Sequence, residues 1–482
     1  MNITVHSSKS VKPAYSGGAP ASAAGHAVVP LTVFDEVNHD EYVPGVFIFH
    51  PPAPPAAALE AGLATMLAEY RHWAGRLVTV DANTGKRAIL LNDAGARLVE
   101  ATADVALAGV MPLRMGPEAV KLHPSCEDGG GVAAEELMLV QVTRFPCGSF
   151  AVGYTMHHSV ADGFATATSL LAWGQAVRGV PFDPAPVHRP AAPAPPPFFV
   201  PRDPPLVEFQ HRGAEYKPRQ ERKKDLDDDD GVGEEEEEEE VVVQTVHFRR
   251  EFIARLRSEA GLRRRRGSSR TSPSPYSAAQ CVVAHLWRCV TAARRLGAGE
   301  VTALHVAVNG RGGRMRGPPV PKGYTGNAVL WARPAATVRD LLNAPLRRAA
   351  ELISEAVAGV DDRYFRSFVD FASSGAVERE GLVRTAVSPE LVARTNLEVD
   401  SVLGIPFYGV DFGSGKPLLF MPTYSTLQPV EGAVFLVESP PSSGDGGGGV
   451  VAHVPLFRRD VDAFNGCCYA LMPAPPVADA RL

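Results

Sequence analysis

The most informative run in the chain is Phe150-Ala151-Val152-Gly153-Tyr154-Thr155-Met156-His157-His158-Ser159-Val160-Ala161-Asp162-Gly163. Its first seven residues are apolar or β-branched and with His157 read as a strand, and Phe164 to Val177 beyond it reads as a helix. Where a strand gives way to a helix, a side chain can project into a cleft while its backbone stays fixed. Alternation along the strand sends His157 and His158 to opposite faces, so a given cleft is offered only one of them. Asp162 lies four residues beyond His158 and beside Gly163, which permits a sharp turn. Its carboxylate can fix the loop through a charge-assisted hydrogen bond or cap the helix. On spacing alone, a structural histidine pair with a capping aspartate accounts for these residues as well as a catalytic site does.

Outward from this run the two periodicities alternate. Leu137 to Arg144 reads as a second strand, joined to Phe150–His157 by a turn at Pro146, Cys147 and Gly148. Leu59 to Trp73 carries apolar residues at helical spacing, Ser277 is placed to cap a long helix, and Val301 to Val308 reads as the next strand. An α/β architecture of two similar-sized lobes fits this order. Two low-complexity stretches interrupt it: a proline-rich one from Pro181 to Pro205, and an acidic one that ends in seven glutamates, Glu234 to Glu240. Neither composition can build a core, so both read as surface connection or linker. The expected division is an N-terminal lobe over 1–215, a crossover linker over 216–240 and a C-terminal lobe over 241–482.

Residues 221–240 hold 13 acidic and 3 basic side chains, so the net charge of -6 conceals a remainder of +4. That mildly basic body suits an anionic ligand and falls far short of a nucleic-acid footprint. No run of 18 uncharged apolar residues occurs, and the first residues lack an apolar signal core, so neither a membrane span nor a secretory signal is expected and the location expected is cytoplasmic. The six cysteines show no zinc-site spacing and read as free thiols, with no metal.

His158-Ser159-Val160-Ala161-Asp162-Gly163 resembles the HxxxDG signature of the BAHD acyltransferases, plant enzymes that move an acyl group from a coenzyme A thioester to an alcohol or amine. Far downstream, Asp411-Phe412-Gly413-Ser414-Gly415-Lys416-Pro417 resembles that family's DFGWGKP, with Ser414 in place of tryptophan. Further likenesses lie at Leu31 to Asp35, Trp73-Ala74-Gly75-Arg76-Leu77, Leu286-Trp287-Arg288 and Gly323-Tyr324-Thr325-Gly326-Asn327, so the resemblance runs over roughly residues 1 to 475 apart from the acidic insert. ITVHSSKSVKP near the start and IPFYGVDFGSGKP over 405–417 are similar to the agmatine hydroxycinnamoyltransferase branch and its amine-acylating relatives.

The resemblance implies two chloramphenicol acetyltransferase-like lobes with a solvent channel between them. It implies transfer of a hydroxycinnamoyl group to an amine such as agmatine, putrescine or tryptamine by a monomer that needs no cofactor, acyl-CoA being a co-substrate. An O-acyltransferase acting on shikimate, quinate or another alcohol is the first alternative, and a catalytically silent ligand-binding protein the second. His158 is the implied general base. Asp162, through an arginine, and Asp411 are implied to brace loops, although both belong to the motifs counted as catalytic. Ser277, at a helix N-terminus, and Arg311 are candidates for the CoA phosphates. Glu398 and Asp400 share a face if Leu397–Ser401 is a strand, and would meet a cationic acceptor.

Overall fold

The computed structural model describes residues 1–17, 27–82, 85–125, 136–190, 195–219, 239–261, 274–386, 392, 395–424, 429–441 and 448–471. Among them the chain builds two large sheets with helices packed against them. The first sheet runs in the order Ile3–Val11, Ala96–Ala103, Met138–Arg144, Phe150–His157, Tyr42–Phe49 and Leu419–Pro422. Only the pair Ala96–Ala103 and Met138–Arg144 is parallel. Phe150–His157 is buried along its whole length, which explains a sequence that is mostly apolar instead of alternating. Helices Ala56–Glu69 and Gly163–Val177 pack together over this sheet, locked by indole hydrogen bonds from Trp73 to Ser169 Oγ and from Trp173 to the Leu59 carbonyl, each 2.9 Å.

The second sheet has the order Val241–Phe248, Val450–Phe457, Ala433–Glu438, Leu397–Ser401, Val301–Asn309 and Val329–Ala332, with Ala335–Thr337 paired to Val301–Asn309 as well. Leu397–Ser401 is parallel to both of its neighbours. Helix Ala278–Ala293 is buried on most of its circumference against this sheet and the helices Arg250–Gly261 and Leu346–Gly359. No helix among the described residues is long and apolar enough to cross a membrane.

Three expectations from the sequence need correction. The C-terminal half does not keep to itself: Leu419–Pro422 pairs with Tyr42–Phe49, and Phe407, Val410, Phe412 and Phe420 lie in the first sheet's core. The stacked rings of Phe407 and Phe420, 4.0 Å apart, anchor this return. The expected linker over 216–240 begins too early, since Tyr216–Pro218 forms a short antiparallel pair with Leu382–Arg384; residues 220–238 lie outside the described residues. Finally, described parts of the proline-rich stretch are packed in place. Phe198 and Phe199 are buried in a cluster with Phe34, Tyr324, Phe365 and Phe368 that joins the two halves. Prolines deny a segment its own hydrogen-bond ladder, but aromatic side chains between them can still be buried by neighbours.

Candidate active site

The strand Phe150–His157 ends at the rim of the first sheet, and its register sets what faces the next residue. His157 pairs with Tyr42, and the His158 amide donates to the Glu41 carbonyl at 2.9 Å. Residues Asn38 to Glu41, between a short helix and a strand, are thereby laid beside the two histidines. His157 turns toward Asp40: its Nε2 is 3.9 Å from Asp40 Oδ1, its ring is edge-on to Tyr42, and its Nδ1 accepts from the Ser159 amide. His158 turns the other way and meets His39 edge-on, with ring centroids 5.6 Å apart. The expected split of the pair between two faces holds.

His158 Nδ1 is buried without a hydrogen-bond partner among the described residues. Burial, reinforced by the neighbouring His39, lowers the imidazole to about 3, so the ring is neutral over the whole working range of pH and keeps a lone pair available. Its neighbour behaves in the opposite sense. Burial alone would lower His39, but Glu398, Asp400 and Glu41 outweigh it and raise the imidazole to about 9. His39 Nε2 stands 3.0 Å from Glu398 Oε1, and its ring meets Trp331 edge-on. Glu398 and Asp400 sit at alternate positions of the strand Leu397–Ser401, Glu398 buried and Asp400 half-buried. Burial and the charge of Glu398 raise Asp400 to about 7. Two carboxylates, a charged imidazole and a neutral one therefore occupy one continuous cluster contributed by both sheets.

Beneath His158 the loop is held by a buried polar lattice. Asp162 caps helix Gly163–Val177 by accepting from the Ala165 amide at 3.0 Å; its other oxygen accepts from Arg311 Nη1 at 2.7 Å and the Ala328 amide at 2.9 Å. With both oxygens engaged, Asp162 positions the loop and offers nothing to a substrate. Arg311 spends its remaining Nη donors on Asn309 and the carbonyls of Tyr324 and Gly326. Its side chain is 2% exposed, which corrects the expected phosphate contact: Arg311 is the arginine that holds Asp162. Gly163 needs correction as well. Expected to permit a sharp turn, it is instead the first helical residue, where an added Cβ would meet only Ile405 Cδ1, at 3.6 Å.

Asn327 completes the lattice, donating from Nδ2 to both Asp35 Oδ1 and the His158 carbonyl at 2.9 Å, while Arg189 pairs with Asp35 and donates to the Val160 carbonyl. Sequence reasoning gave no role to His39, Asp35, Arg189 or Asn327. The available signals were the polar run Asn38-His39-Asp40-Glu41 ahead of an apolar strand, and the placing of Asp35 and Asn327 inside two matched segments.

Asp411 lies elsewhere. It accepts from the Gly413 and Gly415 amides at 2.7 and 3.0 Å and pairs with Arg178 at 3.5 Å, at the far end of the helix that Asp162 caps. Its carbonyl presses on Gly174, where a Cβ would come within 2.5 Å. Gly174 is twelve residues along the helix from Asp162, a rise of about 18 Å. Asp411 thus fixes its own loop, remote from His158. Phe412 inserts between Trp173 and Phe49, and Ser414, in the tryptophan position, donates its hydroxyl to the Pro52 carbonyl. Ser277 is exposed and caps helix Ala278–Ala293 in a reciprocal box with Gln280. Two features of the sequence near these groups, the basic run Arg263 to Arg266 and Arg394, lie outside the described residues.

The family model that matches residues 1–471 is described as the Transferase family. Agmatine hydroxycinnamoyltransferase 1 of Oryza sativa subsp. japonica is 55% identical over 98% of this chain and 99% of its own length. Agmatine coumaroyltransferase-1 of Hordeum vulgare is 53% identical over 98% of this chain and 100% of its own. Among solved structures, vinorine synthase superposes with a TM-score of 0.66 at 22% identity, covering 96% of each chain, a likeness that speaks to the fold.

Proposed function

The chain belongs to the Transferase family, and on that premise we propose that it transfers a hydroxycinnamoyl group from a CoA thioester to an amine carrying a second cationic group, of which agmatine is the type. The names of the relatives support the acyl group and the acceptor. The observation that carries the reading is the cluster itself, in which neutral His158 touches His39, and His39 in turn touches Glu398 on the face it shares with Asp400.

In this mechanism the guanidinium or distal ammonium of the acceptor pairs with the Glu398–Asp400 face, which leaves the reacting amine beside His158. The imidazole accepts a proton from that amine as nitrogen attacks the thioester carbonyl, a step worth about 10² to 10⁴-fold for a positioned base. Collapse of the tetrahedral oxyanion breaks the carbon–sulfur bond, and the imidazolium returns its proton to the CoA thiolate. The acyl-CoA is consumed as a co-substrate, and no acyl-enzyme forms. Asp162, Arg311 and Asn327 act by holding the His158 loop in place, and Ser277, at a helix N-terminus, remains a candidate contact for a CoA phosphate.

The test is a matrix of acyl-CoAs (coumaroyl, feruloyl, benzoyl) against agmatine, putrescine, tryptamine and shikimate, scored by free-thiol release and product mass. Coumaroylagmatine or feruloylagmatine is the expected dominant product. An ester as the main product, or no turnover with any amine, overturns the reading.

A further inference from the structure

The cluster around His158 contains one buried group to which the proposed reaction gives no step. Each ring nitrogen of His39 faces a carboxylate: Nε2 stands 3.0 Å from Glu398 Oε1, and Nδ1 stands 3.4 Å from Glu41 Oε1. An imidazole faces two carboxylates favourably only with a proton on both nitrogens, which is to say as the cation. Asp400 and His158 are further titratable neighbours of the ring, and His305 is the register partner of Glu398 on the adjacent strand. Trp331 meets the ring edge-on, 5.7 Å between centroids. Glu398 is 2% exposed, so as an anion it needs a counter-ion, and His39 supplies it. The contact lacks hydrogen-bond alignment, because Glu398 Oε1 has no aligned donor among the described residues. A donor with better geometry would gain what the imidazole leaves unused.

We propose that His39 is a specificity-determining residue, an internal cation that neutralises Glu398 until the distal guanidinium or ammonium of the acceptor takes its place and the Nε2 proton of His39 is released. The inference rests on the reading that the acceptor carries such a second cation. Two cations held against one buried carboxylate repel each other, so the one able to lose its charge does so. A guanidinium keeps its proton and an imidazole does not have to. The exchange balances: the Nε2 proton passes to a buffer base in solution, the ring keeps the Nδ1 proton that faces Glu41, and the guanidinium restores the lost positive charge. Its planar fork then donates to Glu398 Oε1.

The sign of the pH dependence follows. The surrounding carboxylates raise His39 to about 9, so at neutral pH an arriving cation competes with a bound proton. As pH rises toward that value the competition weakens and the cation binds more tightly, by up to about tenfold per unit for an exchange of one proton. An acceptor with a neutral tail cannot replace the imidazolium on Glu398, so its affinity has no such slope. His39 thereby makes recognition depend on the charge of the tail and not on its shape alone.

The experiment uses butylguanidine, which is agmatine without its reacting amine, as a competitive inhibitor of agmatine acylation by the full-length protein, with butylurea as the uncharged isostere. The guanidinium stays charged throughout, so a proton exchanged on binding comes from the protein. Asp400 titrates at about 7, so the comparison is made in the Asp400→Asn background. There the inhibition constant of butylguanidine should fall by up to about tenfold per unit as pH rises from 7 to 9, while that of butylurea stays level. Adding His39→Asn should abolish the butylguanidine slope. Calorimetry of butylguanidine binding to the unmodified protein at pH 8, in two buffers of different ionisation enthalpy, should show release of about one proton, a measurement that needs no variant to fold. A level inhibition constant in Asp400→Asn, a slope that survives His39→Asn, or binding without proton release overturns the proposal while agmatine acylation stands. Absence of any amide product from agmatine overturns the reading beneath it, and the exchange falls with it.

Discussion

His158 and His39 are the same residue type 5.6 Å apart, yet their surroundings drive them in opposite directions. With burial dominant His158 stays neutral, and with carboxylates around it His39 stays charged up to about pH 9. His158→Ala, which takes away the proposed base, should lower kcat with agmatine at least about 10²-fold while leaving the melting temperature close to that of the parent; His157→Ala should be milder, and steady-state rates with matched thermal melts check both. Asp400 makes a pH-dependent prediction. Its folded-state value of about 7 lies above the ordinary carboxylate value of 3.8, so it is neutral below pH 7 and becomes an anion as pH rises through that point. The ratio of kcat/KM for agmatine to that for tryptamine, which has no second cation, should therefore climb between pH 6 and pH 8. In Asp400→Asn the ratio should be lower and flat, with KM for agmatine and putrescine raised far more than KM for tryptamine. The stability sign runs the other way: a carboxyl raised in the fold contributes most below its unfolded value, and that contribution is lost as pH rises through about 7.

Helix Gly163–Val177 connects the site to the second motif. Its N-terminus is fixed by Asp162, buried against Arg311, and its C-terminal turns support the Asp411 loop through Gly174 and Arg178. Asp162→Ala removes a cap and strands a guanidinium that is 2% exposed, so it should destabilise the fold by about 3 to 5 kcal/mol, the usual range for breaking one side of a buried ion pair. The companion change Asp162→Ala with Arg311→Met should recover part of that loss, because no buried charge is left unpaired. Calorimetric melts of the two variants measure it, and activity should stay low in both because the His158 loop has lost its anchor. Element identities here were largely readable from sequence: the strand Phe150–His157 and the cap at Ser277 fall where periodicity and capping chemistry place them. The helix predicted over Leu59 to Trp73 is instead Ala56–Glu69 followed by the single turn Arg71–Ala74.

At the scale of the whole chain, the two halves exchange structure. The return of Leu419–Pro422 to the first sheet, the aromatic cluster around Phe34 and Tyr324, and the lattice of Asp35, Asp162, Arg189, Arg311 and Asn327 tie residues far apart in sequence into one site. The end of the acidic run is tied down too, by pairing of Glu239 and Glu240 with Arg459 and Arg458. The residues before it, 220–238, bridge two elements already fixed by their own contacts. Replacing 221–238 with a short flexible bridge should therefore leave turnover and melting temperature almost unchanged, since halving a loop alters closure entropy by only about 0.6 kcal/mol. A large rise in KM for agmatine in that deletion, with KM for tryptamine unmoved, would show instead that the run gathers cationic substrate.

Local chemistry made part of this protein legible without any structure. Apolar periodicity and capping residues identify the strands and the helix that follows His158, and two motifs some 250 residues apart carry the resemblance that implies His158 as the base and a supporting character for Asp162 and Asp411. Such features depend on residues within a few positions of one another, or on a pattern that survives as a short string. The partner of Asp162, the role of His39, the packing of the proline-rich stretch and the crossing of Leu419–Pro422 into the first sheet were decided only by the tertiary structure. Each is a contact between residues far apart in the chain, and an arginine that binds a phosphate has the same sequence signature as one buried against an aspartate. Burial and the identity of the facing charge separate the two, and both are properties of the folded chain.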